Sequence, residues 1–157
     1  PSMSLLRHAK EHLSNQSRYA LSNAFISLTD RASVLARAEA MDKTLGARPH
    51  QTTADNLKGR LIGIKDNICT ADLPTTAASG LLKSFTSPYD ATVVKHLYDA
   101  GAIVAGKTNM DEFGMGSHSI HSAFGAVEFK RHEEEQLSAG GSSGGSAVAV
   151  ATGQCWA

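Results

Sequence analysis

The sequence lacks an excess of charge of either sign: fifteen lysines and arginines balance fifteen aspartates and glutamates. A protein that grips phosphate backbones unaided needs a basic footprint, so any nucleic-acid contact has to come from elsewhere. Cysteine is scarce as well. Cys69 and Cys155 lie far apart and form no C-x-x-C or Cys/His ligand pattern, so neither a disulfide framework nor a zinc site is indicated and two reduced thiols are expected. No apolar run reaches the roughly 18 residues that a membrane-spanning helix requires, and the longest, residues 147–151, reads as a piece of a buried element. There is no internal repeat and no G-x-x-x-x-G-K-[ST] pattern, so the glycine-rich stretch at 140–146 lacks the lysine of a phosphate-binding loop. What is left, 157 residues at 41% hydrophobic content, is the composition of one ordinary globular core.

The first forty residues hold Arg7, Lys10, Arg18, Arg31 and Arg37 among several serines and few acids. Such a mixture fits a mitochondrial transit segment and also an amphipathic surface helix. A start on Pro1 in place of methionine points to processing or to an incomplete gene model.

Periodicity organises the rest. Between residues 21 and 45, Ala24, Leu28, Val34, Leu35, Ala38 and Met41 recur near helical spacing, which predicts one or two packing helices ending at Gly46 and Pro49. Residues 50–57 read as a turn. Leu61-Ile62-Gly63-Ile64 predicts a short buried strand that delivers Lys65 at its end. Residues 71–88 read as loop, 91–100 as a helix capped by Gly101, and 102–106 as a second buried strand. Strand, helix, strand in that order predicts parallel pairing in an α/β sheet. Residues 107–122 show no clean period, 127–135 read as a charged surface loop including Glu133-Glu134-Glu135, and 147–151 as a tightly packed helix. The resulting division is a mainly helical leader, 1–57, followed by the start of an α/β core, 58–157.

The stretch Gly140-Gly141-Ser142-Ser143-Gly144-Gly145-Ser146 is the most informative. Glycines there permit close backbone approach and can present hydroxyls and N–H groups to a reacting centre. Glycine and serine are also the residues of flexible linkers, and spacing alone leaves both readings open. Lys65 follows apolar residues that can desolvate its ammonium and lower its pKa, as a lysine base requires, although a lysine after a strand can equally reach out to solvent. A Ser-Lys pair activates a serine nucleophile without histidine, with a second hydroxyl relaying the proton. His118 and His121 are close in sequence but lack a carboxylate or thiolate companion that would make a metal site.

Three segments in order resemble the amidase signature family: Gly63-Ile64-Lys65-Asp66-Asn67, then Gly106-Lys107-Thr108-Asn109-Met110-Asp111-Glu112-Phe113-Gly114-Met115-Gly116, then the loop at Gly140. The similarity runs from about Asn23 to Ala157. It implies an amidase-signature fold, a mixed central sheet covered by helices, cut short before the end of the catalytic core. It also implies Lys65 as general base and Ser142 as relay serine after a cis peptide bond, with Ser143 the neighbouring alternative. The family's acyl-forming serine and its oxyanion hole lie in a later Asp-Thr-Gly-Gly-Ser type loop, so the nucleophile is absent from these 157 residues and the chain alone is expected to be inactive. Substrate-binding residues stay unassigned.

The middle motif, with Ser117, Ser122, Phe124 and Gly125 after it, is most similar to the A-subunit branch of the glutamyl-tRNA(Gln) amidotransferases, in a mitochondrial, fungal-like form. This resemblance implies glutamine as the ammonia source and a place in the mitochondrial matrix without membrane insertion. Its implied partners are a B subunit, a small third subunit, and Glu-tRNA(Gln) held mainly by the partner. No cofactor or metal is implied in this chain; ATP and magnesium belong to the partner protein. A stand-alone amidase of small amides and a non-catalytic partner-binding fragment are the rival readings. Ala126, where the family commonly has proline, and the charged 128–135 stretch depart from the pattern as loop variation.

Overall fold

Runs that are apolar on consecutive positions need cover on both faces, and the two such runs in the chain become neighbouring strands. A computed structural model describes residues 4–45, 57–130 and 135–157. Strand β2, Leu61–Lys65, lies parallel to β3, Ile103–Thr108, with Leu61 opposite Ile103 and Lys65 opposite Thr108. Helix α3, Thr92–Asp99, makes the crossover. It ends as the sequence predicts, because Gly101 adopts φ +82°. The Gly101 N–H then donates to the Tyr98 carbonyl, and the Ala102 N–H reaches back to Leu97, which turns the chain into β3.

Alternation along these strands divides the core. Leu61, Ile103 and Ala105 face one side, together with Ala9, Leu13, Val34, Ala38, Val148 and Ala149. Ile62, Ile64 and Val104 face the other and meet Val94 of α3. The side chains thus make a helix, sheet, helix sandwich in which every residue of β3 is buried.

The first side is built by α1, Leu5–Arg18, α2, Arg31–Leu45, and α4, Gly144–Ala151. Each of the first two has a polar start. Ser4 accepts the Arg7 N–H, Asp30 accepts the Ser33 N–H at 2.9 Å, and the Asp42 carboxylate of α2 takes the free N–H groups of Leu5 and Leu6 at 2.8 and 2.9 Å. The last contact locks the two helices together.

Three readings change. Residues 25–28, taken into a helical stretch, form strand β1, Phe25–Leu28, antiparallel to β3, so the sheet order is β1-β3-β2 and the 1–57 stretch contributes a strand to the core. Ala24 and Leu28 happen to sit four apart, and four-residue apolar runs do not separate helical from extended periodicity. Asp30 was the available signal, since an aspartate at that point is a helix start. Lys107 and Thr108 belong to β3, not to the irregular stretch that follows. In the supposed surface loop Val127 is buried, and β4, Phe129–Lys130, pairs antiparallel with β5, Gln136–Leu137. Gly46, Pro49, the 50–56 turn, Glu133 and Glu134 lie outside the described residues.

Candidate active site

Lys65 is the last residue of β2, one position beyond Ile64, so its side chain leaves the sheet on the face that carries α4. There its ammonium donates to Ser142 Oγ at 2.8 Å and to Ser143 Oγ at 2.7 Å. Ser142 follows a cis Gly141–Ser142 peptide bond, as the resemblance implies, and is half-buried, whereas Ser143 is exposed. The glycine-serine stretch is therefore an ordered turn into α4 and not a flexible linker. Gly145 is dictated by contact: a Cβ there would collide with the Asn109 carbonyl, to which the Gly145 N–H donates at 3.1 Å.

Partial burial pushes the Lys65 pKa below its ordinary value, while the charge of Asp111 acts in the opposite direction. The net effect makes the lysine easier to deprotonate.

Beside the pair lies a buried polar cluster that the sequence did not announce. Lys107 is wholly buried, its ammonium 2.8 Å from Thr75 Oγ1, 3.2 Å from the Pro74 carbonyl and 3.6 Å from Asp66 Oδ1. The other Asp66 oxygen accepts the Thr76 N–H at 3.0 Å, the Thr76 hydroxyl and the Ala78 N–H at 3.2 Å. This pins the chain at 74–78, where Ala77 and Ala78 take positive φ values of 49° and 56°. The pinned stretch holds the next one, since the Ala77 carbonyl accepts the Phe113 N–H at 2.9 Å. The turn Glu112–Gly114 in turn flanks the site: a Cβ on Gly114 would stand 3.8 Å from Ser142 Oγ.

Asp111 was also missed. It is wholly buried, and its carboxylate accepts the N–H groups of Ser119 and His121 at 2.9 and 3.1 Å. His118 and His121 are not brought together as ligands: His118 Nδ1 lies 3.2 Å from Ser138 Oγ, and His121 meets Asp111 through its main chain. Among the described residues no group of three or more His, Cys, Asp or Glu could hold a metal ion. Both cysteines are unpaired, and burial pushes the Cys155 thiol up to about 11, which makes it inert.

Chemically, the arrangement can pass a proton from a hydroxyl brought beside Ser142 through Ser142 to a neutral Lys65. The route runs through hydroxyls and an amine alone.

The geometry agrees with comparison to known proteins. The family model described as Amidase matches residues 14–157. The mitochondrial glutamyl-tRNA(Gln) amidotransferase A subunit of Ajellomyces capsulatus is 56% identical over 99% of this chain and 30% of its own length, and that of Emericella nidulans 55% identical over 99% and 31%. Among solved structures, an amidase superimposes with TM-score 0.81 at 31% identity, covering 98% of this chain and 34% of that one. The glutamyl-tRNA(Gln) amidotransferase A subunit of Thermotoga maritima gives 0.74 at 34% identity, covering 96% and 29%. The chain thus spans about 30% of the length of the curated relatives it matches. Their names agree with the mitochondrial placement expected from the resemblance, and the superpositions with its mixed α/β sheet. With a family match across most of its length and relatives more than half identical to it, the chain belongs to the amidase family.

Proposed function

We propose that this chain is part of the A subunit of a glutamyl-tRNA(Gln) amidotransferase and supplies the base and relay of its glutaminase site. The observation that carries the reading is the contact of 2.8 Å between Lys65 Nζ and Ser142 Oγ, made in a chain 56% identical to a relative of that name. In the complete protein, neutral Lys65 takes the Ser142 proton while Ser142 takes that of the acyl-forming serine, which lies outside these 157 residues. That serine attacks the glutamine carboxamide carbon. The tetrahedral intermediate expels ammonia, protonated by return along the same relay, and water cleaves the acyl-enzyme to glutamate. A partner B subunit, with ATP and magnesium, activates the mischarged Glu-tRNA(Gln) and receives the ammonia, while a small third subunit completes the complex. The balanced charge of this chain suits a tRNA held by that partner.

A stand-alone amidase is the second reading, favoured by the fit to a peptide amidase from Stenotrophomonas maltophilia at TM-score 0.79 and 30% identity. The full-length protein separates the two. Combined with its B subunit, ATP and Glu-tRNA(Gln), it should convert glutamine to glutamate and the charged tRNA to Gln-tRNA(Gln). Hydrolysis of simple amides with no action on glutamine would decide for the second reading.

A further inference from the structure

We propose that Asp111 is a positioning residue of the Lys65–Ser142 pair, fixing the Ser142–Ser143 peptide through its main-chain N–H and packing its buried carboxylate against Gly141. The inference rests on the base-and-relay reading above and adds a residue to it.

Asp111 is tied to the main chain on both sides of Ser143. On one side, its own N–H donates to the Ser142 carbonyl at 3.2 Å. On the other, the Ser119 whose N–H it accepts takes the Gly144 N–H on its hydroxyl at 2.8 Å. The carboxylate also fills the space between two glycines: a Cβ on Gly116 would collide with its Cγ, and one on Gly141 with its Oδ2. One buried side chain thus sets where the relay serine stands.

A carboxylate placed there has to stay ionised to act on the lysine. Burial by itself would raise its pKa, but the main-chain N–H groups of Ser119, His121 and Ile120 hold it below the ordinary range. The charged groups around the site are few. Asp111 acts on Lys65, the exposed His121 acts on Asp111, and the neighbouring Asp66 is engaged with Lys107. Without the Asp111 charge, Lys65 keeps only the desolvation that lowers its pKa.

The test uses the full-length protein in its complex, assayed on glutamine and in parallel on a simple aliphatic amide, with Asp111→Asn compared to wild type. A displaced relay should lower kcat about 10- to 100-fold with little change in KM, since a misplacement of about 1 Å costs on the order of 10²-fold. The acidic limb of the pH profile of kcat/KM should move to lower pH, a shift that loss of packing alone does not produce. Folding is checked by thermal unfolding, and Asp111→Ser replaces a variant that does not fold. A folded variant with wild-type kcat, or a slowed one whose limb stays in place, overturns the proposal. Failure of both variants to fold does so too, by assigning Asp111 to the fold. A wild type that ignores glutamine but hydrolyses the simple amide removes the substrate reading, and the Asp111 comparison is then read on that amide.

Discussion

As the base of the proposed site, Lys65 carries two opposed demands: it has to be basic enough to take a proton and poorly enough solvated to have lost its own. Its pKa in the fold lies below the ordinary 10.5, chiefly through desolvation. Between that depressed value and 10.5 the unfolded chain still binds a proton that the folded one has released, so stability rises with pH across this window and the cost of the charge is full below it. Replacing the lysine should therefore separate function from stability. In the full-length protein, Lys65→Met is expected to lower kcat for ammonia release about 10²- to 10⁴-fold. Its melting temperature at neutral pH should rise, by a margin that narrows as pH approaches 10.5. Lys65→Arg should be as inactive, because a guanidinium does not give up its proton. The lysine itself was legible in the sequence as a charge directly after a buried strand. Its pairing with Ser142 came only from the family resemblance, for nothing in the spacing of 77 positions by itself brings Ser142 to Lys65.

At the scale of elements, β2 and β3 do more than hold the sheet. Each ends in a residue that the site uses, Lys65 on one and Lys107 near the end of the other, and the two lysines have opposite fates. Lys107 points into the interior and, with Asp66, fixes the loop at 74–78. Removing one member of a buried pair leaves the other charge uncompensated, so Lys107→Met is expected to cost about 3–5 kcal/mol, read as a lower urea midpoint. Replacing both members, with Asp66→Leu added, should recover part of that loss. The strand run was legible from its apolar residues, whereas the direction of Lys107 was not: as a charged residue after Gly106 it read as the start of a loop. Gly106 itself explains the difficulty. At its φ of +155° a Cβ would collide with the Ser27 carbonyl, so the glycine that resembles a strand terminator marks the close approach of β1.

Across the whole molecule the described surface leaves large apolar side chains in water, with Leu21, Leu81 and Met115 each more than four-fifths exposed. The backbone of Trp156 and Ala157 runs along the outer edge of β2, where the Trp156 N–H donates to Leu61 and the Gly63 N–H to Ala157, both at 2.7 Å. A chain with such exposed apolar groups is expected to associate when produced by itself, and a sharp, well-dispersed amide NMR spectrum at high concentration would contradict this. On the proposed reading, in which the acyl-forming serine is supplied from outside these residues, the same 157 residues should release no ammonia from glutamine. Detection of an acyl-enzyme on this chain by mass spectrometry would overturn that expectation.

The sequence by itself determined the two parallel strands, the crossover helix and its glycine cap, and the family, because apolar runs, helical spacing and three ordered motifs are local properties. It also placed Lys65 at a strand end and Ser142 in a turn. Only the tertiary structure decided that residues 25–28 are a strand, since a run so short takes its conformation from the β3 edge it pairs with. Only the fold brought Lys65 within 2.8 Å of Ser142 and turned Lys107 inward, because hydrogen bonds and burial depend on what the chain places alongside, not on what precedes it. Asp111 shows the same division. As one acid in a motif it carried no sign of its place, and it gained one when Ser119, His121, Gly116 and Gly141 closed around it.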